Sequence, residues 1–128
     1  MNLDGIIGNQ DAVRALKGMA ESGRIPQALL LYENDGCGAM ALALAFLSRV
    51  LGDEHKVCGL IHPDVHYVYP VANGSKVTEK VENLRAELFL EYWRKLMTGN
   101  PYALESEVSS AFGIEGKQAG INNAEAKE

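Results

Sequence analysis

Behind the polar run Asn9-Gln10-Asp11, the apolar residues Ala12, Val13, Leu16, Met19 and Ala20 recur at spacings of three and four. That pattern predicts a capped amphipathic helix with one buried stripe. Gly23 supplies its stop. Pro26 forbids continuation, and the run Ala28-Leu29-Leu30-Leu31-Tyr32 between these breakers predicts a buried strand, central and parallel. Asn34-Asp35-Gly36-Cys37-Gly38 reads as a tight turn. Residues 39–47 are strong helix formers with almost no polar face, so the helix they predict must be buried on most sides. Ser48 and Arg49 are its first solvent-ready residues, and Gly52 marks its end.

A charged stretch, Asp53-Glu54-His55-Lys56, leads through Cys58-Gly59 to His62-Pro63-Asp64. Val65-His66-Tyr67-Val68-Tyr69 is rich in β-branched and aromatic residues and predicts a second strand, ended by Pro70. After the loop Asn73-Gly74-Ser75-Lys76, a long amphipathic helix carries Leu84, Leu88, Tyr92 and Leu96 on one stripe and stops at Gly99 and Pro101. Residues 102–111 predict one more short helix. From Phe112 onward apolar content falls, and residues 122–128 read as the start of a helix with nowhere to go, so the chain is expected to be cut off there. Strand, glycine turn and buried helix form the first half of an α/β unit. The expected fold class is therefore α/β, with a short, mostly parallel sheet flanked by helices.

Composition narrows the picture only modestly. A chain of 128 residues is about the size of one domain, and 47% apolar with 23% charged residues is an ordinary soluble composition. The net charge of −5 argues against a broad electropositive surface for phosphate backbones, so any contact with DNA is expected to be indirect. Two cysteines, Cys37 and Cys58, are too few for a disulfide framework, and the opening Met1-Asn2-Leu3-Asp4 has no basic segment ahead of an apolar run. A cytoplasmic location is expected. The longest apolar stretch, residues 39–47, falls well short of the roughly 20 residues that cross a bilayer, so no membrane partner is expected.

The chemistry of interest lies at the strand-loop-helix junction. A working phosphate loop reads G-x-x-x-x-G-K-(S/T) between a strand and a helix: backbone N–H groups cradle the phosphates, lysine handles charge and the hydroxyl holds magnesium. Here the same eight positions are Glu33, Asn34, Asp35, Gly36, Cys37, Gly38, Ala39 and Met40. Ala39 cannot neutralise a transferring phosphoryl group and Met40 cannot hold magnesium. Glu33 and Asp35 add negative charge where a triphosphate would sit. The competing, purely structural account is a Gly-x-Gly turn joining a strand to a helix. On either account no catalytic residue, cofactor or ATP hydrolysis is expected.

The segments Ile6-Ile7-Gly8-Asn9-Gln10 and Gly23-Arg24-Ile25-Pro26-Gln27-Ala28-Leu29-Leu30-Leu31, followed by Gly36-Cys37-Gly38 and a buried helix, resemble the opening of clamp-loader ATPases. These are the AAA+ subunits of replicative DNA polymerase assemblies. His62-Pro63-Asp64 with Val65-His66-Tyr67-Val68-Tyr69-Pro70 is similar in particular to the delta-prime type of the bacterial DNA polymerase III holoenzyme, whose members often carry a degenerate phosphate loop. Residues 93–102, with the turn Asn100-Pro101-Tyr102, resemble a variant of that type lacking a zinc module. The likeness covers roughly residues 5–70 and departs at Gln27, where many relatives have histidine, at Glu33-Asn34, where Gly-Pro is usual, and at the missing lysine.

The resemblance implies an N-terminal portion of a AAA+ clamp-loader domain, a partial P-loop NTPase fold over residues 1–128. Residues 1–112 would form an ordered core and 113–128 a polar tail. It implies DNA replication through contacts with other clamp-loader subunits, inside a complex with DNA-directed DNA polymerase activity. The acidic magnesium strand, the sensor strand and the Ser-Arg-Cys arginine finger of such subunits have no counterpart in this sequence. With part of the sheet missing, exposed strand edges are expected to promote dimerisation.

Two other readings start from single residues. His55, Cys58, His62 and His66 fall at spacings of three, four and four, which superficially suit tetrahedral zinc. Against this, Leu60 and Ile61 stand where a four-cysteine module would need further thiolates, and a lost module is the simpler account, with no bound metal. An active nucleotide enzyme would need Lys56 or Lys76 to replace the missing lysine, though neither lies on the loop. Phe89, Tyr92 and Trp93 sit at helical spacing and are expected in a core or subunit contact, not in base stacking. Arg85, Arg94 and Lys95 read as a solvated face.

Overall fold

A computed structural model of the chain describes residues 2–34, 36–68, 86–100, 102–104, 107 and 110, without the side chains of 86–92. The chain divides into two compact units, Met1–Val65 and His66–Glu128.

The first unit is helical. It opens with a 3₁₀ turn at Leu3–Gly5, capped by Asn2, whose side-chain oxygen accepts the Gly5 N–H at 2.9 Å. Helix α1 spans Gln10–Ser22 and ends on Gly23, whose φ of 66° is the left-handed geometry a helix stop favours. Helix α2, Ala39–Leu51, runs past residue 47 to take in Ser48 and Arg49, and stops at Gly52. Helix α3, Glu54–Cys58, starts from Asp53, whose carboxylate accepts the Lys56 N–H at 3.0 Å.

The apolar stripe of α1 meets the apolar side of α2. Val13 and Leu16 pack with Leu3, Ile6, Ala41, Leu42, Ala45 and Phe46, while Met19, Ala20 and Leu31 line the cluster's edge. Because α2 is apolar nearly all round, it is the central helix, touching α1, α3 and the 3₁₀ turn. Among the described residues Leu44, Val57 and Leu60 are the largest fully buried side chains, each stabilising by roughly 1.5–3 kcal/mol through burial. The buried hydroxyl of Ser48 donates back to the Leu44 carbonyl at 2.7 Å, which satisfies it within the helix.

The end of α3 is strained. The Ile61 N–H reaches back to the Lys56 carbonyl at 2.9 Å and the Leu60 N–H to the Val57 carbonyl at 3.0 Å, the paired bonds of a Schellman stop. Leu60 holds the left-handed position at φ 54°, where glycine is usual. That conformation costs a side-chain-bearing residue about 1–2 kcal/mol, and burying a leucine returns a similar or larger amount. Leu60 is 2% exposed, so burial holds the turn.

The expected α/β architecture is not found. Among the described residues there is no β-strand, and hence no parallel sheet of a partial P-loop NTPase fold. Residues 28–32 form neither helix nor ladder, and no backbone hydrogen bond joins them to another described residue. Their side chains still alternate as a strand's would: Leu29 is 42% exposed, Leu30 87%, Leu31 half-buried against the core and Tyr32 90%. Apolar run length selected a buried strand, but a strand exists only when a second segment accepts its N–H and C=O groups. The other expected strand, Val65–Tyr69, is irregular over residues 65–68, with the Val65 N–H turned back to the His62 carbonyl at 3.2 Å. Tyr69 and Pro70 lie outside the described residues.

In the second unit, helix α4 spans Ala86–Gly99. Met97 is buried and Trp93 and Leu96 half-buried, while Leu84, Arg85 and the side chains of Leu88, Phe89 and Tyr92 lie outside the described residues. Asn100 ends the helix as an Asx turn, its side-chain oxygen accepting the Tyr102 N–H at 3.1 Å. Glu107 and Ser110 are helical, within the short helix expected over 102–111. The Glu107 carboxylate accepts the Leu104 N–H at 2.8 Å, one half of a capping box. The expected tail 113–128 lies outside the described residues. Among the described residues no helix is long and apolar enough to cross a membrane.

Candidate functional site

The junction Glu33–Met40 is built by two glycines and two side chains. Gly36 and Gly38 adopt φ of 79° and 96°, conformations open to glycine because it lacks a Cβ. They fold the chain so that the Cys37 N–H meets the Asn34 carbonyl at 3.1 Å, and α2 begins one residue after Gly38. Asp35 lies outside the described residues.

Two side chains then lock the loop. Oε2 of Glu33 accepts the backbone N–H of Ala39, the first residue of α2, at 2.6 Å. Nδ2 of Asn9 donates to the Cys37 carbonyl at 3.1 Å. Asn9 occupies the cap position of α1, yet it makes no side-chain cap bond and sits at φ 48°. Its amide reaches the loop instead, and Gln10 Nε2 steadies the approach by donating to the Gly8 carbonyl at 3.2 Å.

The first N–H groups of a helix have no intrahelical partner and carry a partial positive charge, which is why they attract phosphate. In this protein the position is taken by the protein's own carboxylate. Beside it opens a cleft of about 430 Å³ lined by Asn9, Leu30, Tyr32, Glu33, Asn34 and Cys37 among others. Among the described residues lining this cleft there is no cationic side chain. A triphosphate entering here would meet Glu33 and displace its bond to Ala39. The Cys37 thiol is exposed and unpaired.

The four spaced zinc candidates are not drawn together. Cys58 Sγ lies 3.6 Å from Ser48 Oγ, His62 Nδ1 accepts the Asp64 N–H at 3.2 Å, and His55 and His66 are exposed. Among the described residues no three His, Cys, Asp or Glu side chains are grouped to hold a metal ion. Lys56 is paired with Asp53 at 2.9 Å, which raises its pKa and lowers that of Asp53, through the shared hydrogen bond in each case. Lys76 lies outside the described residues.

A second cleft, of about 510 Å³, went unsignalled by any motif. Asp4, Lys17, Glu21 and Arg49 line it, from the 3₁₀ turn, α1 and α2. Lys17 pairs with Asp4, and Arg49 lies 3.9 Å from Glu21. The hydrogen bond from Lys17 holds the Asp4 carboxyl below its ordinary value. Opposite charges thirteen residues apart are a weak sequence signal, since only the packing of the turn against α1 brings them together.

No protein-family model matches the chain, and no curated protein or solved structure matches it either.

Proposed function

We propose that this protein is a non-catalytic clamp-loader subunit element of a replicative DNA polymerase assembly, acting through protein–protein contacts and leaving ATP hydrolysis to neighbouring subunits. The order of the segments around Gly23-Arg24-Ile25-Pro26, Gly36-Cys37-Gly38 and His62-Pro63-Asp64 supports the assembly. The observation that carries the non-catalytic half is the 2.6 Å bond from the Ala39 N–H to Glu33, which puts a fixed negative charge where a phosphate would bind. DNA enters only indirectly, as the net charge of −5 favours protein partners over phosphate backbones.

Two measurements test the two halves separately. Calorimetric titration with ATP, with and without magnesium, should give no binding heat, and a turnover assay no phosphate release; micromolar binding with turnover would overturn the non-catalytic reading. Titration against purified clamp-loader subunits of bacterial DNA polymerase III should give a stoichiometric complex. Failure to bind any of them would remove the clamp-loader assignment and leave the closed loop as a structural junction.

A further inference from the structure

Residues 28–32 combine three features. Their backbone makes no hydrogen bond to another described residue, their side chains alternate as in a strand, and the outward pair, Leu30 and Tyr32, is 87% and 90% exposed. Backbone donors and acceptors in an apolar stretch of this kind are a template for another strand. We propose that the occupant is a second copy of this chain, paired antiparallel through the same residues about a two-fold axis.

The distribution of charge selects that occupant and that direction. Between Arg24 and Glu33 the chain carries no charged residue. Arg24 makes no ion pair among the described residues, and Glu33 engages one carboxylate oxygen with Ala39. The segment thus has a cationic end, an apolar middle and an anionic end. Antiparallel pairing with a copy brings each cationic end to the other's anionic end, whereas parallel pairing would stack like charges. A two-fold interface requires this self-complementarity, and closing on itself it halts at a dimer. Pro26 has no N–H to give, so the ladder is confined to residues beyond it. Repulsion between two copies of net charge −5 is largely screened beyond about 8 Å at physiological salt, which leaves the local pairs to decide the register.

The test uses the full chain. Sedimentation velocity across a wide concentration range should show a reversible monomer–dimer equilibrium. Hydrogen exchange should slow at the amides of residues 28–32 only at concentrations where the dimer forms. Leu30→Lys and Arg24→Glu change exposed side chains, so both variants should keep the wild-type circular dichroism and, at concentrations where the chain is monomeric, the wild-type melting temperature, while raising the dimer Kd at least about tenfold, equivalent to about 1.4 kcal/mol. A chain that stays monomeric at every concentration overturns the proposal, as does a dimer that neither substitution weakens. Slow exchange at 28–32 in a dilute monomer overturns it too, by showing that another part of the same chain covers this segment.

Discussion

The side-chain amide of Asn9 donates to the backbone carbonyl of Cys37 at 3.1 Å, tying the start of α1 to the loop ahead of α2 across twenty-eight positions of sequence. Asn9 does this from the left-handed region, at φ 48°, a conformation that asparagine and glycine tolerate better than alanine does. Asn9→Gly should therefore lose only the hydrogen bond, about 1 kcal/mol, while Asn9→Ala loses the bond and adds left-handed strain, about 2–3 kcal/mol in all. Urea unfolding of the two variants checks the order; equal losses would show that the backbone geometry contributes nothing.

Glu33 acts on the same loop, where it joins α2. Glu33→Ala removes the acceptor of the Ala39 N–H and the negative charge at the start of α2, and should destabilise by about 1 kcal/mol. Glu33→Gln keeps an oxygen acceptor and should recover part of that loss. Neither variant should hydrolyse ATP, because positions 39 and 40 still hold alanine and methionine. Thermal unfolding and a phosphate-release assay read the two effects independently.

Leu60 predicts an unusual ranking. At a buried helix-flanking position, removing the leucine side chain commonly costs about 2–5 kcal/mol for alanine, and glycine is normally worse. Here Leu60→Gly also relieves a φ of 54°, returning about 1–2 kcal/mol, so the glycine variant should be no less stable than Leu60→Ala. Chemical denaturation of both proteins decides the matter, and a glycine variant clearly weaker than alanine would refute the strain.

The ion pair of Asp4 with Lys17 sets an acid-side dependence. The folded pKa of Asp4 lies below its unfolded value, so the unfolded state binds more protons between the two. The pair's contribution is present above the unfolded pKa of about 4 and is lost as pH falls through the folded value. Lys17→Met should destabilise the protein at neutral pH and lose less further stability than wild type on acidification. Parallel acid-unfolding curves for the two proteins would contradict this.

What the sequence by itself determined is whatever depends on near neighbours. The period of α1, the apolar body of α2 and the glycine stops at Gly23 and Gly52 were legible because helix hydrogen bonds and caps close within a few residues. In the candidate site, the turn at Gly36-Cys37-Gly38 was legible for the same reason. Tertiary structure alone decided the rest. A strand needs a partner from elsewhere, and residues 28–32 find none among the described residues despite their apolar run. Asn9 spends its amide on Cys37 because packing α1 against α2 places that carbonyl in reach. Glu33, read in sequence only as unwelcome charge for a phosphate, settles on the Ala39 N–H once the glycine turn presents the helix end to it.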